Sequence, residues 1–507
     1  MKFNRRFLTF FTLLFTCALL VTLSIVPIKA QITRVPPPEL TSKITVNGFS
    51  PYPEEIAFGD LAWRTFVALN WPASCEDKTF GKPLKNIIGT NTDKPRVWEF
   101  YQFPRNIFLF NNEEDPPSPS QCVGEQELKP ITPVRLDEIN EDPNIKITDQ
   151  GQVLIDQSGN YILKETRMNP IEVKEVVDNQ WYSADNIADD NFDEDNRFAL
   201  VCNDEKQNTN NNRFPCYENN QEGAIEIKMA WTIIPDPTED KEKFDYYKSK
   251  YYTTTRTFFA NKVKTQNGFN IEQITVPVAL IGFHIVHKTS NRGWIWSTFD
   301  HVDNAPTEEQ TKNTSPEQTY NLYNSNCQDN CDENTPYGQK PFLWSDKPPY
   351  AVTVDKDTNK IKPQIRSQIT RLTPVTPNAE LLNTAWHKAL NKIAENKGIS
   401  GGSIWQYYQL IGTQWLSNPK IPNPEYYKNL TKRKGKNDTL RRNIQPRQGS
   451  EPSRLANVAI EPYADKLTKG DSCIECHALA SLPKSQNTSF PFGVSSDFSF
   501  LFNDAGQ

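Results

Sequence analysis

Residues 276–287 read VPVALIGFHIVH. The run is apolar at both phases of a two-residue repeat, so it predicts a strand in the middle of a sheet with both faces covered. It lies within a longer β-prone stretch, Ile274–Lys288. The pentapeptide Thr289–Gly293 joins that stretch, as a hairpin turn, to a second strand over Trp294–Val302. Further strands are expected over Ala224–Ile234, Tyr251–Phe259 and Ala351–Val354, which are rich in β-branched and aromatic residues. A short one is expected over Arg96–Tyr101.

Helical spacing surrounds this β-rich middle. The run GDLAWRTFVALNW from Gly59 places Leu61, Ala62, Phe66, Val67 and Leu69 on a helix ended by Pro72. Glu380–Ile393 sets Leu381, Leu382, Ala385, Trp386, Ala389, Leu390 and Ile393 on one face, and Ser403–Trp415 reads as another helix. The expected body is therefore α+β, with a central mostly antiparallel sheet and helices in the C-terminal half. Asp355, Asp357 and Asn359 mark a hairpin turn. Asp189, Asn191 and Asp193 alternate as calcium ligands do, but Glu194 stands where a calcium loop needs Gly, and Leu200 where it needs Glu. The default there is a solvated acidic loop.

The 507-residue chain has 11 Trp, 18 Tyr and 28 Phe, enough for a large core despite a mean hydropathy of −0.66. Its net charge of −6 argues against nucleic acid as a partner. Lys2, Arg5 and Arg6 precede an apolar run, Phe7–Val26, and then Pro27-Ile28-Lys29-Ala30. This is the pattern of a secretory signal over 1–30, cleaved after Ala30. Uncleaved, it would anchor the N-terminus, and no other stretch is apolar enough to span a membrane. The expected location is the periplasm or another exported compartment, the thylakoid lumen if the source is photosynthetic. Nine cysteines fit an oxidising compartment. Neighbours in sequence suggest the pairs 202–216 and 327–331, which leaves 75–122, among fifteen possible connectivities for six cysteines.

The segment CIECH, Cys473 to His477, carries the chemistry. Two thiols three positions apart on one helical turn match the two vinyl groups of a single porphyrin, and the adjacent imidazole faces its iron. The residues therefore predict one covalent haem c, with Cys473 and Cys476 as thioethers and His477 as proximal ligand. A zinc half-site completed by Cys327 and Cys331 is the competing assignment. Thirty residues follow His477 and contain no Met and no His, so a sixth ligand must come from upstream or be absent. His284 and His301 are the candidates for a distal ligand or base, with Met229 behind them. His287 should face away from His284, and His387 falls on the polar side of its helix. A basic run from Lys428 to Arg447 either steers an acidic redox partner or forms a solvated loop. The resulting layout is a 31–417 body, a basic Pro-rich connector over 418–455, and a haem segment over 456–507 packed back on the body.

Several blocks together resemble a group of large bacterial proteins described as cytochrome c family proteins. They are DLAWRTFVALNWPA (60–73), HIVHKT with WIWSTFDHVDNAP (284–306), SIWQYYQLIGTQW (403–415), LANVAIEPY (455–463), and CIECH followed by DFSFLF (473–502). The resemblance implies covalent haem at Cys473, Cys476 and His477, and export. It draws attention to His284 and His301 without assigning them a role. At 460 this chain has Ile where the group often has Met, so no ligand role carries over to that position. The functions to weigh are electron transfer with a redox partner protein, a haem oxidoreductase acting on peroxide or another small molecule, and a haem-based sensor.

Overall fold

In the computed structural model the 276–287 run lies inside a 22-residue strand, Gly268–Thr289, the spine of a ten-stranded sheet. The structure describes residues 53–76, 81–84, 88, 94–108, 145–149, 151–183, 223–265, 268–289, 293–313, 319–415, 454–463, 473–477, 480 and 496–504. The signal-like segment, the acidic 185–200 stretch, Cys122, Cys202, Cys216 and the basic run lie outside the described residues. In chain order the strands are β1 (Ile145–Lys146), β2 (Thr148–Asp149), β3 (Gln152–Val153), β4 (Leu163–Met168), β5 (Ile225–Ile233) and β6 (Thr253–Thr265). They continue with β7 (Gly268–Thr289), β8 (Gly293–His301), β9 (Leu343–Trp344), β10 (Ala351–Val354), β11 (Ile361–Pro363) and β12 (Tyr408–Trp415). The helices are α1 (Pro53–Leu69), α2 (Pro104–Phe108), α3 (Pro170–Asp178), α4 (Lys241–Lys250), α5 (Glu308–Thr311), α6 (Pro377–Asn396) and α7 (Cys473–His477).

The main sheet runs β1-β4-β5-β7-β6-β9-β10-β11, with β8 on β7 and β12 on β8. All its pairings are antiparallel except β6 with β9. β7 pairs β5 over Val278–His287, β6 over Gly268–Ala279 and β8 over Gly282–Thr289. A strand has two edges, and β5 overlaps both other partners. β6 and β8 therefore follow one another along the same edge, which is why β7 must be so long. A bulge at Ile281 lets Leu280 and Gly282 pair with successive residues of β5.

The two faces of the sheet carry different layers. On one, Ile227, Met229, Leu280, Phe283, Ile285 and Phe299 meet α1 and α6. Trp63 of α1 stacks on Trp386 of α6 at 5.8 Å and donates to Asn383 at 3.0 Å, while Phe66 stacks on Phe299 at 4.3 Å. Each such buried aromatic contributes roughly 2–3 kcal/mol of transfer free energy. Thr376 caps α6 by accepting from the Ala379 amide, and also donates to Glu55 of α1. The opposite face receives residues 454–463 and 496–504, described below.

Several expectations hold. The helices at 59–69 and 380–393 and all five long-range strand segments are present, and the 355–359 turn closes β10 on β11. The Cys327–Cys331 disulfide is formed. Cys75 is also disulfide-bonded.

Other expectations are corrected. Ser403–Trp415 is not a helix: a short 3-10 turn, Ile404–Tyr407, leads into β12. Its apolar spacing suits either structure, but Tyr408, Ile411, Thr413 and Trp415 favour extension, and β12 satisfies the outer edge of β8. Arg96–Tyr101 is not a strand either; Arg96 bridges Pro72 and a 3-10 turn follows. Helices are not confined to the C-terminal half, since α1, α3 and α4 precede β6.

Candidate functional site

The outer face of the sheet is unusually polar for a covered surface. Side chains alternate along a strand and directly paired residues share a face. One face therefore carries Lys164, Glu226, Lys228, Gly282, His284, Lys288, Trp294, Trp296, Thr298, Asp300 and Gln414. Three stretches of the C-terminal chain satisfy these groups.

Residues 454–463 come first. Asn457 is fully buried; its Nδ2 donates to Thr298 Oγ1 and to the Phe299 carbonyl, while its Oδ1 accepts from the amides of Ala459 and Ile460. Lys164 Nζ donates to the Ile460 carbonyl at 2.8 Å. Gly282 leaves room for this segment: a Cβ there would stand 2.9 Å from Asn457 Oδ1. Ile460 is buried with Ala230 and Ile281.

Residues 496–499 come next. Lys288 Nζ reaches Asp497 Oδ2 at 2.6 Å with both side chains fully buried, and Trp294 Nε1 donates to the Asp497 carbonyl at 2.7 Å. Asp497 and Phe498 take φ values of 51° and 68°, a left-handed pair costly for residues with a Cβ. This conformation turns the Phe498 carbonyl onto His477 Nδ1, 2.7 Å away. A carbonyl only accepts, so Nδ1 carries the proton and Nε2 presents its lone pair.

The third stretch is α7, where Cys473, Ile474 and Phe498 join a cluster with Trp294, Trp296 and Met168. Cys473 and Cys476 are half-buried thiols. His477 lies 5.9 Å from Trp296 and 5.2 Å from Phe500, ring to ring. Burial pushes its imidazole down to about 4, so it is neutral near pH 7.

His284 is on the same face of the sheet, paired with Thr298 on the strand that carries Trp296. Its Nε2 stands 3.1 Å from Glu461 Oε2, and Lys228 Nζ is 3.4 Å from the other Glu461 oxygen. Burial raises the Glu461 carboxyl, but His284, Lys228 and Lys164 outweigh it and hold the group well below the usual carboxylate range. Gln414 faces Trp296 across the β8–β12 pair; it is fully buried, and neither its amide atoms nor Trp296 Nε1 find a partner among the described residues.

The other sequence candidates sit elsewhere. His301 is on the helix-facing side, stacked on Tyr251 at 3.7 Å. Its Nδ1 accepts from the Asp303 amide at 3.2 Å and its Nε2 meets the Lys250 carbonyl at 3.3 Å, so both nitrogens are engaged. Met229 is buried on that same side. His287, as expected, faces away from His284 and approaches Thr65 of α1. His387 is half-buried rather than solvated, with Nε2 2.6 Å from the Tyr408 carbonyl.

Sequence reasoning missed Glu461, Lys228, Asp497 and the Phe498 carbonyl. A partial signal existed: Glu226 and Lys228 alternate with Ile225, Ile227 and Met229, which marks a buried strand with one charged face. Among the described residues no group of three or more His, Cys, Asp or Glu converges on a bare metal ion. Compared with protein-family models, with curated proteins and with solved structures, the chain finds no match in any of the three.

Proposed function

We propose that the protein is an exported c-type haem protein that transfers electrons, with one haem joined to Cys473 and Cys476 and ligated by His477. The observation that carries this reading is the hydrogen bond from His477 Nδ1 to the Phe498 carbonyl. It fixes the tautomer and aims Nε2, as a histidine ligand requires. The donor set suits this group better than zinc, because the two thiols share one helical turn and Cys327 and Cys331 are already joined to each other. The unpartnered Gln414 amide and Trp296 N–H supply polar groups for a ligand lodged against α7. When bound, the group supplies a one-electron Fe(III)/Fe(II) couple.

Around it the chain's own residues would act in three ways. Phe498 holds the proximal imidazole; Trp296, Phe498 and Phe500 keep water from it; His284, Lys228 and Glu461 set the local charge. A haem oxidoreductase is the second reading. It is favoured by the His284–Glu461 pair, which engages His284 Nε2 with a carboxylate and suits proton handling more than iron ligation.

The test is expression with the cytochrome c maturation machinery, followed by haem staining of a denaturing gel. Wild type is expected to stain, and a Cys473→Ala/Cys476→Ala variant is not. An unstained wild type overturns the covalent assignment. A low-spin iron converted to high-spin by His284→Ala makes His284 the sixth ligand; a high-spin wild type that binds cyanide supports the oxidoreductase.

A further inference from the structure

Beside the loop that holds His477 lies a charged group this reading does not use. Glu172 of α3 is fully buried and Glu226 of β5 is nearly so. Asn169 Oδ1 accepts from both the Glu172 and the Ile225 amides, which brings the start of α3 against β5, and each carboxyl is close enough to act on the other. Both Glu172 oxygens and Glu226 Oε1 lack any donor among the described residues. Two carboxylates are four acceptor lone-pair sets with nothing to share, and like charges this close in an apolar surrounding cannot both persist. A pair this close and this deeply buried holds at least one proton. The charged groups facing the pair are Lys288 of β7, which shares a sheet face with Glu226 on the neighbouring strand, and Asp497. Lys288 is already matched by Asp497, so the pair lacks a dedicated counter-ion.

Lys288 bonds Asp497, and Asp497 and Phe498 are consecutive, so the turn that approaches Glu226 is the turn that binds His477. We propose that Glu172 and Glu226 form a proton-binding site coupled to the charge of the iron held by His477, taking up one proton as that iron gains one electron. The proposal rests on the haem reading above. Written in full, Fe(III) with a singly protonated pair, plus one electron from a redox partner and one proton from solvent, gives Fe(II) with a doubly protonated pair. Reduction makes the site more negative, and the added proton offsets that charge. Burial raises both carboxyls above the usual carboxylate range, which moves the exchange toward neutral pH.

The experiment measures the midpoint potential of the matured holoprotein by redox titration from pH 5.5 to 8.5. One proton per electron lowers the potential toward about 59 mV per pH unit, since a tenfold change in proton activity corresponds to that step for a one-electron couple. Glu226→Gln replaces the shared proton with an amide N–H and is expected to flatten the slope. A difference infrared spectrum of the wild type, reduced minus oxidised near pH 7, should gain a protonated-carboxyl band that Glu226→Gln lacks. A flat wild-type potential, or an equal slope in Glu226→Gln, overturns the coupling. A gel without haem stain overturns the parent reading instead, and the two failures are told apart by that stain.

Discussion

His301 is held from every side: Tyr251 stacks on it, Tyr408 meets it edge-on, and both nitrogens are hydrogen-bonded. Burial lowers its imidazole from 6.5 to about 3. The folded state therefore resists protonation that the unfolded chain accepts. The stabilisation is complete above pH 6.5 and is lost as pH falls toward 3, on the order of 4 kcal/mol over the whole range. His301→Phe keeps the stack but leaves the Lys250 carbonyl and Asp303 amide without their partner. It is expected to cost about 1–3 kcal/mol at pH 7. Its further loss between pH 6.5 and 4.5 should be smaller than wild type's, as urea unfolding at several pH values would show. An undiminished acid loss would place the sensitivity in other groups. The same residue shows why type alone did not identify the site, since His284 and His301 are equally prominent in sequence but lie on opposite faces.

At the level of elements, the contact between β7 and residues 454–463 depends on a missing side chain. A Cβ on Gly282 would stand 2.9 Å from Asn457 Oδ1 and 3.3 Å from the Cβ atoms of Ala230 and Ala459. Asn457 cannot yield without loosening its bonds to Thr298 and Phe299. Gly282→Ala is therefore expected to destabilise the fold by about 1–3 kcal/mol through overpacking. Thermal unfolding measures it, and an unchanged midpoint would show that the segment shifts freely.

The whole molecule is built as helices, sheet, and C-terminal chain, with the largest aromatic core between the first two layers. That core contains no residue from 473–504. Cys473→Ala/Cys476→Ala should thus retain the far-UV circular dichroism of the wild type. Only near-UV signals from Trp294 and Trp296, which pack with Ile474 and Phe498, should change. A large far-UV loss would mean that the C-terminal layer is needed for the sheet to form.

Much of this fold was legible. A strand apolar at both phases has to be covered on both faces, and a helix at i, i+3, i+4 spacing has one face to bury, so β7, α1 and α6 follow from local pattern alone. Ser403–Trp415 was not legible, because its spacing serves helix and strand alike and the outer edge of β8 decided between them. The CIECH spacing likewise carries its chemistry locally, since two thiols and an imidazole on one turn are neighbours in any fold that keeps the turn. What surrounds His477 is different in kind. Glu461, Lys228 and the Phe498 carbonyl are separated along the chain, and no short-range pattern links a backbone carbonyl at 498 to a ring at 477. The sequence by itself determined the sheet's central strand, its main helices and the spacing of Cys473, Cys476 and His477, because these depend on periodicity. Tertiary structure alone decided which histidine lies near that motif, because strand pairing assigns side chains to faces and the returning C-terminal chain covers only one of them.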